Sequence, residues 1–286
     1  MNSTSSVKVG VIGYGFVGRA TGEGFSSNLQ NKVFWFDKFK ESQNTLPEVI
    51  ENSEFIFICV PTPIFDDYSG MDMSIVEGVI DEVAPKLKGT DKILILKSTS
   101  LPGTIKKMSA KFSEVNFVMN PEFLTQKNAN TDFLNPARTV IGSDDEEVAG
   151  RVVNLYKTIL SKDQKYFVTD PTSAELTKYM SNLLLASKIM LGNEFYFLSE
   201  KVGANYDEVR KAVEADTRIG TFLKVPGWDG EFGFGQACFP KDMVGILGLA
   251  KKIGVDMPAL DAVWKENLKV RKHRDWEAMP QAFKKK

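Results

Sequence analysis

A cysteine in the second half of the chain stands in a sequence context that favours nucleophilic chemistry. Cys238 lies in the segment Phe232-Gly-Phe-Gly-Gln-Ala-Cys-Phe-Pro-Lys-Asp242, where glycines precede the thiol and Pro240 could be the first residue of a helix. A thiol beside a helix N-terminus and near Lys241 is expected to have a lowered pKa, and the thiolate is the reactive form. The local sequence also fits a small buried apolar residue, which is the commoner role of a free cysteine.

A lysine and an asparagine could act together on one helix face. Lys178 and Asn182 are four residues apart in a segment predicted to be helical, and the same face continues through Leu185 and Ile189. A polar pair at the start of an apolar stripe either has buried partners or lines a cavity. The alternative is an exposed lysine that pairs with Glu175, three residues earlier.

The first half of the chain contains a glycine-rich turn of the kind that binds dinucleotides. The sequence Gly13-Tyr-Gly-Phe-Val-Gly18 follows a short apolar run and leads into a predicted helix. Glycines allow a tight turn and a close approach of the backbone to a pyrophosphate, and the helix N-terminus supplies N–H groups. The predicted cofactor contacts are Gly13, Gly15, Phe16, Val17 and Gly18.

Asp37 ends the second apolar run, 19 residues after Gly18. A carboxylate at this point accepts hydrogen bonds from ribose hydroxyls and repels a 2′-phosphate. NAD is therefore favoured over NADP as the cofactor, although Lys38 and Lys40 leave NADP open.

Three further apolar runs end in the polar segments Val60-Pro-Thr-Pro63, Lys97-Ser-Thr-Ser100 and Asn120-Pro-Glu-Phe123. Because doubly wound sheets hold their ligands at the carboxyl ends of parallel strands, Val60 and Thr62 are expected at the cofactor site and Glu122 at the same edge. Taken alone, Val60–Pro63 and Lys97–Ser100 each fit a plain turn with a capping hydroxyl better than a ligand site, and Glu122 alone fits a loop charge better than a base.

Composition narrows the class of protein. The 286 residues include 36 Lys and Arg against 37 Asp and Glu, which leaves no overall basic field for nucleic acid or an anionic membrane. Two cysteines cannot form a disulfide framework, and Cys59 lies in an apolar run, so a reducing, cytoplasmic compartment is expected. No apolar run approaches the ~18 residues of a membrane span, and no leader peptide is evident. The only histidine, His273, lies in a basic segment, so no metal site is predicted.

Seven apolar runs, separated by intervals that could hold crossover helices, predict a doubly wound, parallel Rossmann-type α/β sheet. The predicted strands are residues 7–12, 32–36, 55–60, 93–97, 116–119, 138–141 and 166–168. An all-helical region follows, beginning with one helix over residues 172–202, about 45 Å long, whose apolar residues occupy more than one face. We therefore predict a dinucleotide-binding domain at residues 1–170 and a helical domain with a long central helix at residues 171–286.

Local signals predict where the helices begin. Capping boxes are predicted at Ser143 with Glu146 and at Thr172 with Glu175, and Asn205 with Glu208 is predicted to cap a further helix. Prolines mark two further helix starts, at Pro240 and Pro258.

Taken together, these motifs resemble the UDP-glucose 6-dehydrogenases, which belong to the wider UDP-glucose/GDP-mannose dehydrogenase family. The shared segments are residues 13–18, 60–63, 97–99 with 102–104, 120–124, 175–182 with 193–194, 216–220, and 233–242. They occur in the family's order and span residues 7 to about 269.

The resemblance implies an enzyme that oxidises C6 of a nucleotide sugar, most simply UDP-glucose, with two NAD and a covalent thiol intermediate on Cys238. It implies oxyanion stabilisation by Lys178, fixation of the sugar and a water by Asn182, and a base or water-orienting role for Asp242. It further implies catalytic roles for Glu122 in thioester hydrolysis and for Thr99, also a cofactor contact, in orienting water. The implied substrate contacts are Glu122, Phe123, Leu124, Lys178, Asn182, Arg218, Phe234 and Gly235, with Arg218 reaching across a homodimer formed through helix 172–202.

The chain departs from the family's pattern in three places. Gln236 replaces a family glycine, Gln126 replaces a family glutamate, and the chain ends before the second Rossmann-like domain that holds the uridine diphosphate. Two other functions stay open on the residues alone. A two-electron β-hydroxyacid dehydrogenase also places a Lys and an Asn on one helix, and a non-catalytic NAD-binding module needs only the glycine turn.

Overall fold

The structure is a computed structural model that describes residues 6–285. The chain forms two compact units. The first comprises the described part of Met1–Thr62 and Met73–Lys178, and the second comprises Pro63–Asp72 and the described part of Tyr179–Lys286. Along the chain the units divide at residues 178/179, whereas the sequence predicts domains that divide at 170/171, and that domain assignment stays a prediction.

The described residues form nine strands. In chain order they are β1 (Lys8–Ile12), β2 (Lys32–Phe36), β3 (Phe55–Ile58), β4 (Ile64–Phe65), β5 (Ile93–Leu96), β6 (Asn116–Met119), β7 (Thr139–Gly142), β8 (Tyr166–Thr169) and β9 (Phe283–Lys284). All except β4 and β9 form one sheet of the first unit, in the order β2-β1-β3-β5-β6-β7-β8. The predicted doubly wound sheet is confirmed, and each predicted strand is present within two residues of its expected ends. One pairing differs, because β7 runs antiparallel to β6.

Helices cover both faces of this sheet. Those of the first unit are α1 (Phe16–Ser26), α2 (Leu46–Asn52), α3 (Ser74–Val83), α4 (Thr104–Lys111), α5 (Ala129–Leu134) and α6 (Glu146–Lys157), and α7 (Pro171–Val202) begins in this unit. Side chains alternate between two cores, since Phe55 and Phe57 pack in one hydrophobic cluster while Ile56 and Ile58 pack in the other. Burial of both faces explains why these strands are uninterrupted apolar runs.

Two predicted helix caps are wrong. The cap of α6 is Asp145, whose Oδ1 accepts from the N–H groups of Glu147 and Val148, and not Ser143. Asp170 Oδ1 accepts from the N–H of Ser173 at 2.9 Å at the start of α7, in place of a box at Thr172. The cap at Asn205 and the start at Pro258 are confirmed.

The second unit is largely helical. It contains the rest of α7, followed by α8 (Tyr206–Glu214), α9 (Cys238–Ile253) and α10 (Pro258–Val270). Strand β9, near the end of the chain, pairs in parallel with β4, which precedes it by more than 200 residues. Trp276, between α10 and β9, is fully buried and its ring lies 5.9 Å from that of Trp264. This segment therefore forms part of the unit's core.

Candidate active site

The glycine turn has the shape that a pyrophosphate needs. Gly13 follows β1 with a φ of 86°, and Gly15 is the N-cap of α1. A Cβ at Gly18 would lie only 1.9 Å from the carbonyl oxygen of Gly13, whereas a Cβ at Gly15 would meet nothing within 4 Å. The turn thus packs tightly on one side and leaves backbone open on the other, and the first turn of α1 carries no acidic residue.

Asp37, directly after β2, lies against this turn. Its Oδ2 accepts from the N–H of Tyr14 at 2.7 Å, and its Oδ1 accepts from the N–H of Phe39 at 2.9 Å. Lys40 Nζ donates to the Tyr14 carbonyl oxygen at 2.6 Å. The carboxylate is therefore held beside the second residue of the turn, while its contact with a ribose stays a prediction.

The ends of β3 and β5 lie at the same edge of the sheet. Ser98 Oγ donates to the Val60 carbonyl oxygen at 2.7 Å, and an added Cβ at Gly13 would lie 2.8 Å from the Cys59 carbonyl oxygen. Thr62 and Thr99 are both buried in this region, with 4% and 9% of their surface exposed. The structure thus brings the predicted strand-end segments next to the glycine turn.

Lys178 forms a buried ion pair with Glu122. Its Nζ lies 2.8 Å from Oε1 of Glu122 and donates to the carbonyl oxygen of the same residue at 2.7 Å. Burial alone would raise the pKa of Glu122, but the charge and hydrogen bond of Lys178 and the N–H of Leu124 hold it below its ordinary value. The interpretations of Lys178 as exposed and of Glu122 as a plain loop charge are both wrong.

Glu175 pairs with the backbone at the start of α4. Its two carboxylate oxygens accept from the backbone N–H groups of Gly103 and Ile105 at 2.6 and 2.9 Å, at the start of α4. Burial raises the pKa of Glu175 to about 7. This carboxylate caps α4 from a distant part of the chain, which the local sequence did not reveal.

A second buried lysine was not identified from the sequence. Lys97 Nζ donates to Asn120 Oδ1 at 2.8 Å and to the Tyr156 hydroxyl at 3.2 Å. Burial lowers the pKa of Lys97 to about 8, against the opposing effects of Cys59 and Glu122. Asn120 in turn donates to the Val140 carbonyl oxygen at 2.8 Å, so this network fixes the start of the segment that carries Glu122.

In the second unit, Asn182 is paired with Asp242. Asn182 Nδ2 donates to Asp242 Oδ2 at 2.6 Å, and Lys241 Nζ lies 2.7 Å from Asp242 Oδ1. The Asp242 side chain is fully buried. Asn182 lies one turn after Lys178 on α7, and of the two possibilities left open for this polar pair, buried partners or a cavity, both side chains show buried partners.

Cys238 is half-buried and is the first residue of α9. The helix begins two residues earlier than predicted, so Pro240 is its third residue and the cysteine itself lies in the first turn. Cys59, in contrast, is buried directly after β3, and burial raises the pKa of its thiol to about 12. Of the two cysteines, only Cys238 combines partial exposure with a helix N-terminus.

The segment before Cys238, residues 233–237, is named here the cysteine loop. Asn193 Oδ1 accepts from the N–H of Gly233 at 2.9 Å, and Asn267 Oδ1 accepts from the N–H of Phe234 at 2.7 Å. Phe234 is buried, and its ring centroid lies 6.2 Å from that of Trp264. Polar and aromatic contacts thus define the loop, while the substrate contacts of Phe234 and Gly235 stay predictions.

Other predicted substrate contacts have different surroundings. Phe123 is half-buried, and the Arg138 guanidinium lies 4.0 Å from the centroid of its ring. The Leu124 N–H donates to Glu122 Oε2 at 2.7 Å. Arg218 is exposed and forms an ion pair with Asp216 at 2.6 Å. These contacts do not test the substrate-binding roles predicted for Phe123, Leu124 and Arg218.

Residues 6–285 contain no helix that is both long enough and apolar enough to cross a bilayer. Within the same range, no cluster of three or more His, Cys, Asp or Glu side chains could hold a metal ion.

Both halves of the chain match one protein family. Residues 38–160 match the UDP-glucose/GDP-mannose dehydrogenase family, NAD binding domain, and residues 172–269 match the central domain of the same family. The UDP-glucose 6-dehydrogenase of Rickettsia bellii is 36% identical over 248 residues, which cover 85% of this chain and 54% of that protein. The UDP-glucose 6-dehydrogenase of Bacillus subtilis is 31% identical over 306 residues, covering 93% of this chain and 64% of that protein.

The fold is also similar to that of a solved UDP-glucose dehydrogenase. The structure of a UDP-glucose dehydrogenase from Pyrobaculum islandicum superposes with a TM-score of 0.81 at 28% identity, covering 94% of this chain and 69% of that one. The chain spans about half the length of the curated relatives that it matches first.

Proposed function

Because the chain belongs to the UDP-glucose/GDP-mannose dehydrogenase family, we propose that it oxidises C6 of a nucleotide sugar from an alcohol to a carboxylate. UDP-glucose is the proposed substrate, since the relatives at 31–36% identity are named UDP-glucose 6-dehydrogenases. This chain matches only part of the length of each relative, so the activity of the whole relative is a proposal for this chain. The proposal is supported by the side chains of this chain.

The glycine turn and Asp37 fit the dinucleotide. The tight packing at Gly18 and the open side at Gly15 leave room for a pyrophosphate at the start of α1. Asp37, which is held beside Tyr14, is assigned to the ribose hydroxyls, and Val60, Thr62 and Thr99 to the strand-end contacts. When bound, NAD supplies the hydride acceptor for both oxidations.

Cys238 is assigned the nucleophile. Removal of a hydride and a proton from C6 gives an aldehyde, and the thiolate of Cys238 adds to its carbonyl carbon to form a thiohemiacetal. Loss of a second hydride and a proton gives a thioester. Water then adds to the thioester carbon, the C–S bond breaks, and the carboxylate leaves while the thiol of Cys238 is restored.

The other polar side chains are assigned to charge and proton handling. Lys178 stabilises the oxygen of C6 when it carries negative charge, and Glu122 fixes the ammonium through the 2.8 Å ion pair. Asp242 serves as base or orients water, and Asn182 binds both the sugar and this carboxylate. Because its pKa is lowered, Glu122 is charged at neutral pH, and its carboxylate is assigned to thioester hydrolysis, where it accepts a hydrogen bond from the attacking water.

The exposed face of α7 supports a homodimer. Its large apolar side chains are between 40% and 68% exposed and recur mostly every three or four residues: Leu176, Met180, Leu184, Leu191, Phe195, Phe197, Leu198 and Val202. An apolar stripe of this length is costly in water and packs well against a second copy of itself. We assign the dimer contact to this face, with Arg218 reaching the partner's substrate, and place the enzyme in the cytoplasm, where Cys238 stays reduced.

One observation carries the proposal: a half-buried cysteine at the first residue of α9, four residues before a buried aspartate that is paired with Asn182. The test is incubation of the purified chain with NAD and UDP-glucose, and then with other nucleotide sugars, with NADH read by absorbance and the uronate by mass spectrometry. Binding of NAD without NADH from any nucleotide sugar would leave only a cofactor-binding module.

A further inference from the structure

The residue two positions before Cys238 has a strained backbone. Gln236 has a φ of 59°, in the left-handed region that costs a residue with a Cβ roughly 1–2 kcal/mol. Its N–H donates to both carboxylate oxygens of Asp275, at 3.1 and 3.0 Å. The carboxylate therefore stabilises the cysteine loop in a conformation that is unfavourable for Gln236.

Arg271 fixes that carboxylate and lies directly against the loop. Its Nη2 donates to Asp275 Oδ1 at 3.1 Å and to Asp229 Oδ2 at 2.7 Å, while its Nε donates to the carbonyl oxygen of His273 at 3.0 Å. A Cβ added to Gly235 would lie 2.2 Å from Arg271 Nη2, so the guanidinium contacts the loop backbone. The Arg271 side chain is only 2% exposed.

Stability alone does not favour an arginine at this position. Arg271 Nη1 is buried and has no hydrogen-bond partner within residues 6–285. A buried, incompletely paired guanidinium is a weak source of stability, since its desolvation offsets much of the ion-pair energy. What the guanidinium does provide is a fixed geometry for Asp275, and through it for Gln236.

We propose that Arg271 is a positioning residue for Cys238. Through Asp275 it holds the N–H of Gln236, and through its contact with Gly235 it sets the loop that leads into the thiol. This inference rests on the proposed nucleophilic role of Cys238. Because misplacement of a reacting group by about 1 Å can lower a rate on the order of 100-fold, loss of Arg271 lowers kcat without contacting substrate or cofactor.

The test compares Arg271→Met, Arg271→Lys and Asp275→Ala with Arg274→Met. Arg274 is the matched control, because it is partly exposed and its ion-pair partner, Glu277, lies 3.6 Å away and outside the cysteine loop. In Arg271→Met and Asp275→Ala we expect amide exchange of Gln236 to be at least tenfold faster and kcat at least tenfold lower, with an unchanged KM for NAD. The amide exchange rate and kcat of Arg271→Lys should lie between those of Arg271→Met and those of wild type. Both quantities should be unchanged in Arg274→Met.

Two further measurements distinguish a positioning role of Arg271 from a general loss of structure. Gln236→Gly removes the strain, so it should restore most of the kcat that Asp275→Ala loses. Alkylation of Cys238 by iodoacetamide should become at least threefold faster in Arg271→Met and Asp275→Ala, because a loosened loop exposes the half-buried thiol, while buried Cys59 stays unlabelled.

Unchanged amide exchange and unchanged alkylation in Asp275→Ala would overturn the inference, and this variant decides the matter if Arg271→Met does not fold. Failure of the proposed function is a different result: the wild-type chain would form no NADH, while exchange and alkylation would still respond to Arg271 and Asp275.

Discussion

Lys178 Nζ lies 2.8 Å from Glu122 Oε1, and the two side chains are only 4% and 6% exposed. The pair joins residues 56 positions apart, one on α7 and one just after β6. A charge pair buried to this extent keeps Glu122 ionised and gives the Lys178 ammonium a single orientation. It therefore fixes a positive charge in the first unit before any substrate binds.

Removal of the Lys178 side-chain charge should lower the free energy of unfolding strongly. Lys178→Met leaves the Glu122 carboxylate buried without its cation, and the expected loss is about 3–5 kcal/mol in the free energy of unfolding. Urea denaturation at pH 7 measures it. The control is Lys107→Met, which breaks the exposed 2.6 Å pair with Glu77 and should cost less than about 1 kcal/mol. Equal losses in the two variants would contradict the buried ion pair.

Asp37→Ala should weaken NAD binding by roughly tenfold, the loss expected for one hydrogen-bonded carboxylate. Titration calorimetry measures the dissociation constant, and Glu41→Ala, an exposed acid four residues later, is the control that should bind as wild type does. An unchanged affinity of Asp37→Ala for NAD would remove the ribose assignment.

Lys97 should give stability a distinctive pH dependence. The pKa of Lys97 in the folded chain is about 8 and its ordinary value is 10.5, so between these pH values the unfolded chain binds more protons. The contribution of this group to the free energy of unfolding therefore rises with pH across that range, by about 3 kcal/mol at most.

Lys97→Met should lack this rise, whereas exposed Lys107→Met should keep it. Chemical denaturation at several pH values between 8 and 10.5 measures the difference between each variant and wild type. A wild-type curve parallel to that of Lys97→Met would show that Lys97 is not a perturbed, buried cation.

Much of the first unit could be predicted from the sequence. Its strands are short runs buried on both faces, such as Phe55–Ile58 and Ile93–Leu96, and the spacing between them requires crossover helices. The glycine turn and Asp37 are local in sequence, so their proximity follows from the order of β1 and β2. The resemblance to known dehydrogenases then supplied the roles that residue types alone left open.

The errors have physical causes. At α6, Asp145 directly precedes the helix, whereas the predicted Ser143 lies two residues before that aspartate. At α7, Asp170 directly precedes the helix, whereas the predicted Thr172 lies inside it. In each case the aspartate side chain accepts the capping hydrogen bond. Strands β4 and β9 are two residues long, too short for any periodic signal, and their pairing spans most of the chain. Lys97 with Tyr156 and Arg271 with Asp229 are also far apart in the sequence. Their pairing is set by the tertiary structure and leaves no local sequence signal.

The α7 face gives a test of assembly. Leu184→Glu and Leu191→Glu each place a charge in the exposed apolar stripe, and should convert a dimer to a monomer in sedimentation equilibrium. Leu29→Glu, at a side chain that is 97% exposed outside this helix, is the control and should leave the assembly unchanged. A wild-type chain that sediments as a monomer would contradict the dimer.

The central claim is thiol-dependent, four-electron oxidation, and the most direct measurement counts NADH formed per sugar product in wild type and in Cys238→Ser. Two NADH per uronate in wild type, with no uronate from Cys238→Ser despite near wild-type affinity for NAD, is the predicted result. One NADH per product, or a fully active serine variant, would contradict the account and favour a two-electron dehydrogenase.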